Sequence, residues 1–290
     1  MKPAREHLRC FVAPAAWQGA VLTVDADEAH HLVNVLRARV GEQVEVFDGA
    51  GRTASAQLVA TGKRDAELRL IEEKFQPRPA PELALVQALP REATMDFIVQ
   101  KAVELGAAAI YPVLSERCIV RLKPDQYAEK SARWQRIALN AARQSHAAWL
   151  MYIAPVQTLE NFFQTLETPG QVTRPTENFA AGCRPGLRPG APQPQPDPTP
   201  AQPGATGFDF WFVGSLLPHA QPLRAALAAA REQAPRRVAA LIGPEGDLTP
   251  AEHRAAEAAG AAPVSFGQSV LRVDTAAFYA ISAMKLILTE

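Results

Sequence analysis

The sequence predicts an α/β fold in two parts: a small β-rich unit, then a mostly parallel sheet with helices on its faces. Three features predict it. From residue 82 onward, short apolar runs of strand composition alternate with helical patterns, the signature of consecutive βαβ units. The first 76 residues instead carry short strands and a hairpin-type turn. Between the two, Pro77, Pro79 and Pro81 in "QPRPAPE" interrupt any regular element. The expected domains are therefore 1–76 and 77–290. A chain of 290 residues that is 48% hydrophobic has the length and apolar content for two cores.

In the first part, "LRCFV" and "AVLTV" read as strands, and "VEVF" with "RTASAQLV" as a hairpin turning at Asp48-Gly49-Ala50-Gly51. "DADEAHHLVNVLRAR" reads as a helix capped by Asp25 or Asp27, with His31, Leu32, Val35 and Leu36 on one face. In the second part, "ELALVQAL" is a strand. "TMDFIVQKAVEL" is a helix with Phe97, Ile98, Lys101, Ala102 and Leu105 on its apolar side and Gly106 as its stop. "AAIYPVL" is a strand, "DQYAEKSARWQRIALNAARQ" a long helix and "TLENFFQTL" a further helix. Then come the strand "FDFWFV", the helix "QPLRAALAAAREQ", the strand "RVAALI", the helix "PAEHRAAEAA", the strand "APVSF" and the helix "DTAAFYAISAMKLIL". Residues 169–207 hold ten of the 25 prolines. Such spacing forms neither ladder nor helix, so this stretch reads as an inserted surface loop, a spacer or a PxxP partner site.

Several function classes are set aside. Thirty basic residues balance thirty acidic ones, which argues against a globally cationic nucleic-acid binder but leaves room for a local basic face. The three cysteines lie far apart and suggest neither a disulfide framework nor a zinc knuckle. His30-His31 lacks companion ligands, so no metal is expected. No run reaches membrane-spanning length and the first residues lack a signal-peptide core, so a cytoplasmic, membrane-free protein is expected. Walker, Rossmann, nucleophile-elbow and zincin motifs are absent.

The most purposeful stretch is "LIGPEGDLTP". An apolar run stops at Gly243-Pro244-Glu245-Gly246, where both glycines offer permissive backbone angles. It restarts at Thr249-Pro250-Ala251-Glu252, a capping box with proline at the first helical position. "SFGQSVLRVDTAAFYAI" repeats this logic, its helix capped at Asp274 or Thr275. Two such junctions at the carboxyl ends of parallel strands mark a ligand site; two ordinary strand–helix turns are the alternative. Arg117 and Arg121, four apart, would point the same way on a helix or a strand. With Arg9, His31, Arg37, Arg52 and Arg143, they are candidate RNA contacts. For His31 a packed core histidine is the alternative.

Together, "HHLVNVLRARVGEQVEVFDGAGR", "MDFIVQKAVELGAAAIYPVLSERCIVRL", "LIGPEGDLTPAE" and "VLRVDTAA" resemble, in order, the small-subunit (16S) ribosomal RNA uridine-N(3)-methyltransferases of the SPOUT superfamily. The resemblance covers nearly the whole chain outside the proline-rich insert. It implies an N-terminal PUA-like β-barrel that binds RNA and a C-terminal SPOUT α/β domain with a trefoil knot. It implies a homodimer, with the C-terminal helix face of Phe278, Ile281, Met284 and Leu288 in the interface. It implies S-adenosyl-L-methionine as cofactor and uridine 1498 of 16S rRNA, within the 30S subunit, as target. Residue by residue, Leu241, Ile242, Gly243, Pro244, Glu245 and Gly246 match the first cofactor loop. Gly267, Leu271, Arg272, Thr275 and Ala276 match the second. Arg272 would stabilise the uracil anion, and Glu245 is the candidate base.

The sequence departs from the family pattern at Asp247, at Gln268-Ser269, at Asp274 and across Arg143–Ala147. These departures leave two other readings open: a relative that binds RNA or ribosomal particles without methyl transfer, and a small-molecule-binding α/β protein. At Asp247 the family has glycine. A positive φ there would mean the family's loop under strain; a negative φ would mean a rebuilt loop.

Overall fold

The computed structural model describes residues 8–167 and 207–289. Apart from Gly207, the expected proline-rich insertion lies outside them. By its internal contacts the chain divides into two units, residues 1–79 with 136–151 and residues 80–135 with 152–290. The sequence placed one break at 76/77; the contacts also assign a later segment of sixteen residues to the first unit.

In the first unit, β1 (Arg9–Phe11), β2 (Val21–Val24), β3 (Gln43–Phe47), β4 (Arg52–Thr61) and β5 (Ala66–Phe75) form one sheet in the order β1-β3-β4-β5-β2. β1 runs parallel to β3 and the other pairs are antiparallel. The edge strands β1 and β2 do not pair with each other among the described residues, so the expected barrel is an open half-barrel. Leu22, Leu32, Val46, Leu58 and Leu68 fill its core. β5 has no counterpart in the sequence reading, because only Ala66 and Leu68 of its ten residues are buried.

Asp25, not Asp27, caps α1 (Ala26–His30), accepting from the Glu28 amide at 3.0 Å. The helix then widens into a π-type turn over His31–Val35, closed by the Leu36 amide on the His31 carbonyl. That change of period breaks the expected apolar face: Leu32 is buried, whereas Val35 is 59% exposed.

The second unit is a parallel sheet in the order β11-β13-β10-β12-β6-β7-β8, with β9 also on β7. Its elements in chain order are β6 (Glu82–Ala88), α2 (Glu92–Glu104), β7 (Ala109–Leu114), α3 (Tyr127–Ser145), β8 (Tyr152–Ile153), β9 (Gln157–Thr158) and α4 (Leu159–Glu167). Then follow β10 (Phe210–Gly214), β11 (Gln221–Pro222), α5 (Leu223–Glu232), β12 (Arg237–Ile242), α6 (Pro250–Ala258), β13 (Ala262–Ser265) and α7 (Val273–Leu288). The contacts give the first part of α3 to this unit and the rest to the other. Val238 to Leu241 of β12 are completely buried, as expected for a strand covered on both faces.

α2 buries Met95, Ile98, Val99, Ala102 and Val103, so the expected apolar side is rotated and Phe97 stays 42% exposed. α7 contacts α2, α5, β6 and β12. Its Ile281 and Met284 are fully buried against these elements and do not offer a face to a partner, a correction to the expected interface. No helix among the described residues is long and apolar enough to cross a membrane.

Candidate functional site

β13, β10 and β12 are parallel neighbours, in register through Val213 with Leu241 and Gly214 with Val264. Their carboxyl ends at Ser265, Gly214 and Ile242 therefore lie along one edge of the sheet. The segments that leave them, together with the start of α2, enclose a cavity of about 540 Å³. Parallel sheets bind ligands at this edge, because the outgoing loops and helix starts converge there. The sequence predicts the junctions after β12 and β13 in adjacent units. β10 lies between them, and its Gly214-Ser215-Leu216 supplies a third part of the wall.

The segment after β12 is tightly held. Thr249 and Glu252 form the expected capping box: the Thr249 hydroxyl accepts from the Glu252 amide at 3.2 Å, and the Glu252 carboxylate accepts from the Thr249 amide at 2.8 Å. The other Glu252 oxygen accepts from the Glu116 amide at 2.8 Å. Neither Gly243 nor Gly246 has the positive φ that the sequence reading allowed them. The left-handed residue is Asp247, at φ 59°. Its Oδ1 accepts from the Leu248 amide at 2.7 Å and faces His253 Nε2 at 3.3 Å. Burial alone would raise the Asp247 pKa. The hydrogen bonds from His253 and the Leu248 amide, with the nearby charges of His253 and Arg117, outweigh it and hold the carboxyl below its ordinary value. A Cβ on Gly243 would stand 3.2 Å from Asp247 Oδ1 and from the Leu248 nitrogen, so close packing explains this glycine.

After β13, Gly267 takes φ 116°, a conformation only glycine adopts easily. α7 begins at Val273 with Arg272 as N-cap and no side-chain cap. Asp274 Oδ1 accepts from the Thr275 amide at 2.8 Å from inside the first turn, which corrects the expectation that Asp274 or Thr275 caps the helix.

Of the expected cofactor residues, Ile242, Gly243, Pro244 and Glu245 line the cavity, as do Gly267, Leu271, Arg272 and Ala276. Leu241 is fully buried inside β12, and Gly246 and Thr275 lie off the wall. Glu245 Oε1 accepts from the Arg91 amide at 3.3 Å. The exposed Arg272 guanidinium makes no hydrogen bond or ion pair among the described residues. The sequence reading missed Arg91, Thr94, Ser215, Phe266 and Val270. The apolar run into "GSLL" was the available signal for the third junction.

The expected RNA contacts separate sharply. Arg9 is 2% exposed: it pairs with Glu45 at 3.0 Å, donates to the carbonyls of Ala142 and Ala147, and lies 4.0 Å from the Phe47 ring centroid. Arg143 pairs with the buried Glu28 and donates to Asn140. Both are structural residues, a correction forced by burial. Arg52 is paired with Asp48 at 2.8 Å and lies over the Trp17 ring. His31 is half-buried, and desolvation, with His30 beside it, lowers its pKa. Arg117 and Arg121 sit on neither helix nor strand. Arg117 donates to the carbonyls of Gly246 and Leu248, and Arg121 to that of Glu116. Arg37 is exposed, at φ 55°. Among the described residues no group of three or more His, Cys, Asp or Glu is placed to hold a metal ion.

Comparison with known proteins identifies the family. An RNA methyltransferase domain model matches residues 76–181 and 214–285, and an RNA methyltransferase PUA domain model matches residues 24–71. The ribosomal RNA small subunit methyltransferase E of Mycobacterium tuberculosis is 30% identical over 269 residues, covering 93% of this chain and 87% of the relative. The chain belongs to the ribosomal RNA small subunit methyltransferase E family. The Synechocystis methyltransferase E is also 30% identical, over 97% of this chain and 78% of the relative.

A crystal structure of the Neisseria gonorrhoeae methyltransferase E, bound to S-adenosyl methionine, is similar with a TM-score of 0.72 and 27% identity over 97% of each chain. A Legionella pneumophila methyltransferase shares the fold at a TM-score of 0.74 and 23% identity, again over 97% of each chain. In this methyltransferase E chain the half-barrel is thus a PUA domain and the parallel sheet an RNA methyltransferase domain. Asp247 has the positive φ that, on the sequence expectation, marks the family's loop rather than a rebuilt one.

Proposed function

We propose that the protein uses S-adenosylmethionine to methylate ring nitrogen 3 of a uridine in 16S rRNA, at conventional position 1498, acting in the cytoplasm on the small ribosomal subunit. The observation that carries this reading is the cavity at the ends of β13, β10 and β12, with Arg272 unpaired among the described residues in its wall. The residues fit the cofactor. About 540 Å³ is within the range of small-molecule sites. Apolar Ile242, Leu271 and Ala276 can cover an adenine face, while backbone groups of the 243–245 segment read its edge.

When bound, the cofactor supplies an electrophilic methyl group on its sulfonium, so the protein's task is alignment. The uracil N–H must lose its proton. Arg272 stabilises the developing anion. The acceptor of that proton in this reading is the Glu245 carboxylate, the weaker of the two assignments because it already accepts from the Arg91 amide. The PUA domain contributes RNA contacts, with the exposed Arg37 among its cations. The same reading includes a homodimer and a trefoil knot in the methyltransferase domain. The left-handed Asp247 favours a working loop over a relative that binds without transferring.

The test is methylation of isolated 30S particles against free 16S rRNA, with the modified base mapped. Arg272→Ala in single turnover should lower the rate by about 10²-fold, the scale of losing one transition-state donor. Methylation elsewhere, or full activity in the variant, would overturn the assignment.

A further inference from the structure

We infer that Arg91 is an RNA-binding residue of this same cavity, taking a backbone phosphate of the substrate. The inference rests on the proposed methyl-transfer reading. Arg91 follows β6, directly precedes α2, and lines the cavity together with Thr94. Its backbone is fixed to the segment after β12 by the hydrogen bond from its amide to Glu245. Its guanidinium is exposed and makes no hydrogen bond or ion pair among the described residues.

The charged groups of the wall divide by sign. All three carboxylates have internal donors: Glu245 has the Arg91 amide, Asp247 has His253 and the Leu248 amide, and Asp274 has the amide and hydroxyl of Thr275. Arg117, close by, is also committed, to two carbonyls. The wall's two arginines, Arg91 and Arg272, are not. The hydrogen bonds hold the carboxylates in place without cancelling their charge, whereas the donors of the two exposed guanidiniums stay available to the oxygens of an anion. An RNA substrate carries a phosphate at every nucleotide, and the planar guanidinium matches phosphate oxygens two at a time. With Arg272 assigned to the base, Arg91 on the phosphate holds the nucleotide at a second point, which fixes orientation as well as affinity. The rival anion is the carboxylate of the cofactor's amino-acid end.

The experiment compares wild type, Arg91→Ala and Arg91→Lys in two separate titrations. One is calorimetry with S-adenosylmethionine alone. The other is binding to isolated 30S particles across a salt series. In the alanine variant, particle affinity should fall about tenfold, and the slope of log affinity against log salt should fall by about one. The S-adenosylmethionine affinity should stay within about twofold. Lysine should restore the salt slope but only part of the affinity, because it is a point charge. In steady state, KM for particles should rise more than kcat falls. A drop in S-adenosylmethionine affinity with unchanged particle binding would give Arg91 to the cofactor and overturn the inference. Unchanged titrations of both kinds would make Arg91 a solvated residue and overturn it too. If the wild type transfers no methyl group, the proposed function fails, while the particle titrations still decide Arg91.

Discussion

Asp247 shows how one residue resolves a conflict between backbone and side chain. A left-handed conformation costs an L-residue about 1–2 kcal/mol, and aspartate is among the residues that tolerate it best. Each of its two hydrogen bonds returns about 1 kcal/mol net. Asp247→Ala keeps the strain and loses the bonds, so it should destabilise the chain by about 2 kcal/mol in denaturant unfolding. Asp247→Gly removes strain and bonds together and should stay within about 1 kcal/mol of wild type. The pH dependence follows from the direction of the shift. The folded carboxyl titrates below its ordinary value of 3.8, so its stabilising effect is fully present above 3.8 and disappears as pH falls through the lowered value. The stability difference between wild type and Asp247→Asn should therefore close as pH falls below 3.8 through the lowered value. The sequence marked Asp247 as the deciding position. It could not show that His253, six residues on, would reach back to it.

Among the elements, the last turn of α3 is tied to β1 and α1 through buried charge. Glu28 on α1 accepts from the Phe11 amide of β1 at 3.1 Å and pairs with Arg143. Cys10 Sγ lies 3.3 Å from the same carboxylate, and burial pushes its thiol pKa up to about 12. Removing one partner of a buried pair leaves the other charge uncompensated, at a cost of about 3–5 kcal/mol. Arg143→Ala should show that loss in equilibrium unfolding, while the salt slope of RNA binding by the folded fraction stays unchanged. A lower slope would return Arg143 to the RNA interface. The long apolar strands, the α6 capping box and the β3–β4 turn were legible because each signal lies within a dozen residues. The turn's use was less so: Gly51 has φ 101°, and a Cβ there would stand 2.7 Å from the Gln76 carbonyl and from the Trp149 ring. Arg143 misled because Glu28 is 115 residues away in sequence. The sequence predicts β10 as a strand, but its place between β12 and β13 is a property of sheet order, which periodicity does not encode.

At the level of the whole molecule, the first unit is discontinuous. Residues 136–151 supply the carbonyls that hold Arg9, the partner of Glu28, and Trp149, whose indole N–H donates to the Gln76 carbonyl at 3.0 Å. A fragment ending at residue 79 would leave a buried arginine and a buried glutamate without these partners, and it should show no cooperative melt. Adding residues 136–151 through a flexible linker should restore one. A cooperative transition in the shorter fragment would disprove this. The sequence could not reveal the discontinuity, because the helical period of α3 runs without a break from one unit into the other.

That arrangement also sets a timetable. The half-barrel is made first on the ribosome but cannot be finished first, because its closing segment is translated about 70 residues after its last strand. At on the order of 5–20 residues per second, β1 to β5 wait several seconds without the Ala142 and Ala147 carbonyls for Arg9 and without Arg143 for Glu28. During that interval the surface that residues 136–151 cover in the folded unit is open to chaperones and to misassembly. Arrival of residue 151, rather than of residue 79, is the event that ends it.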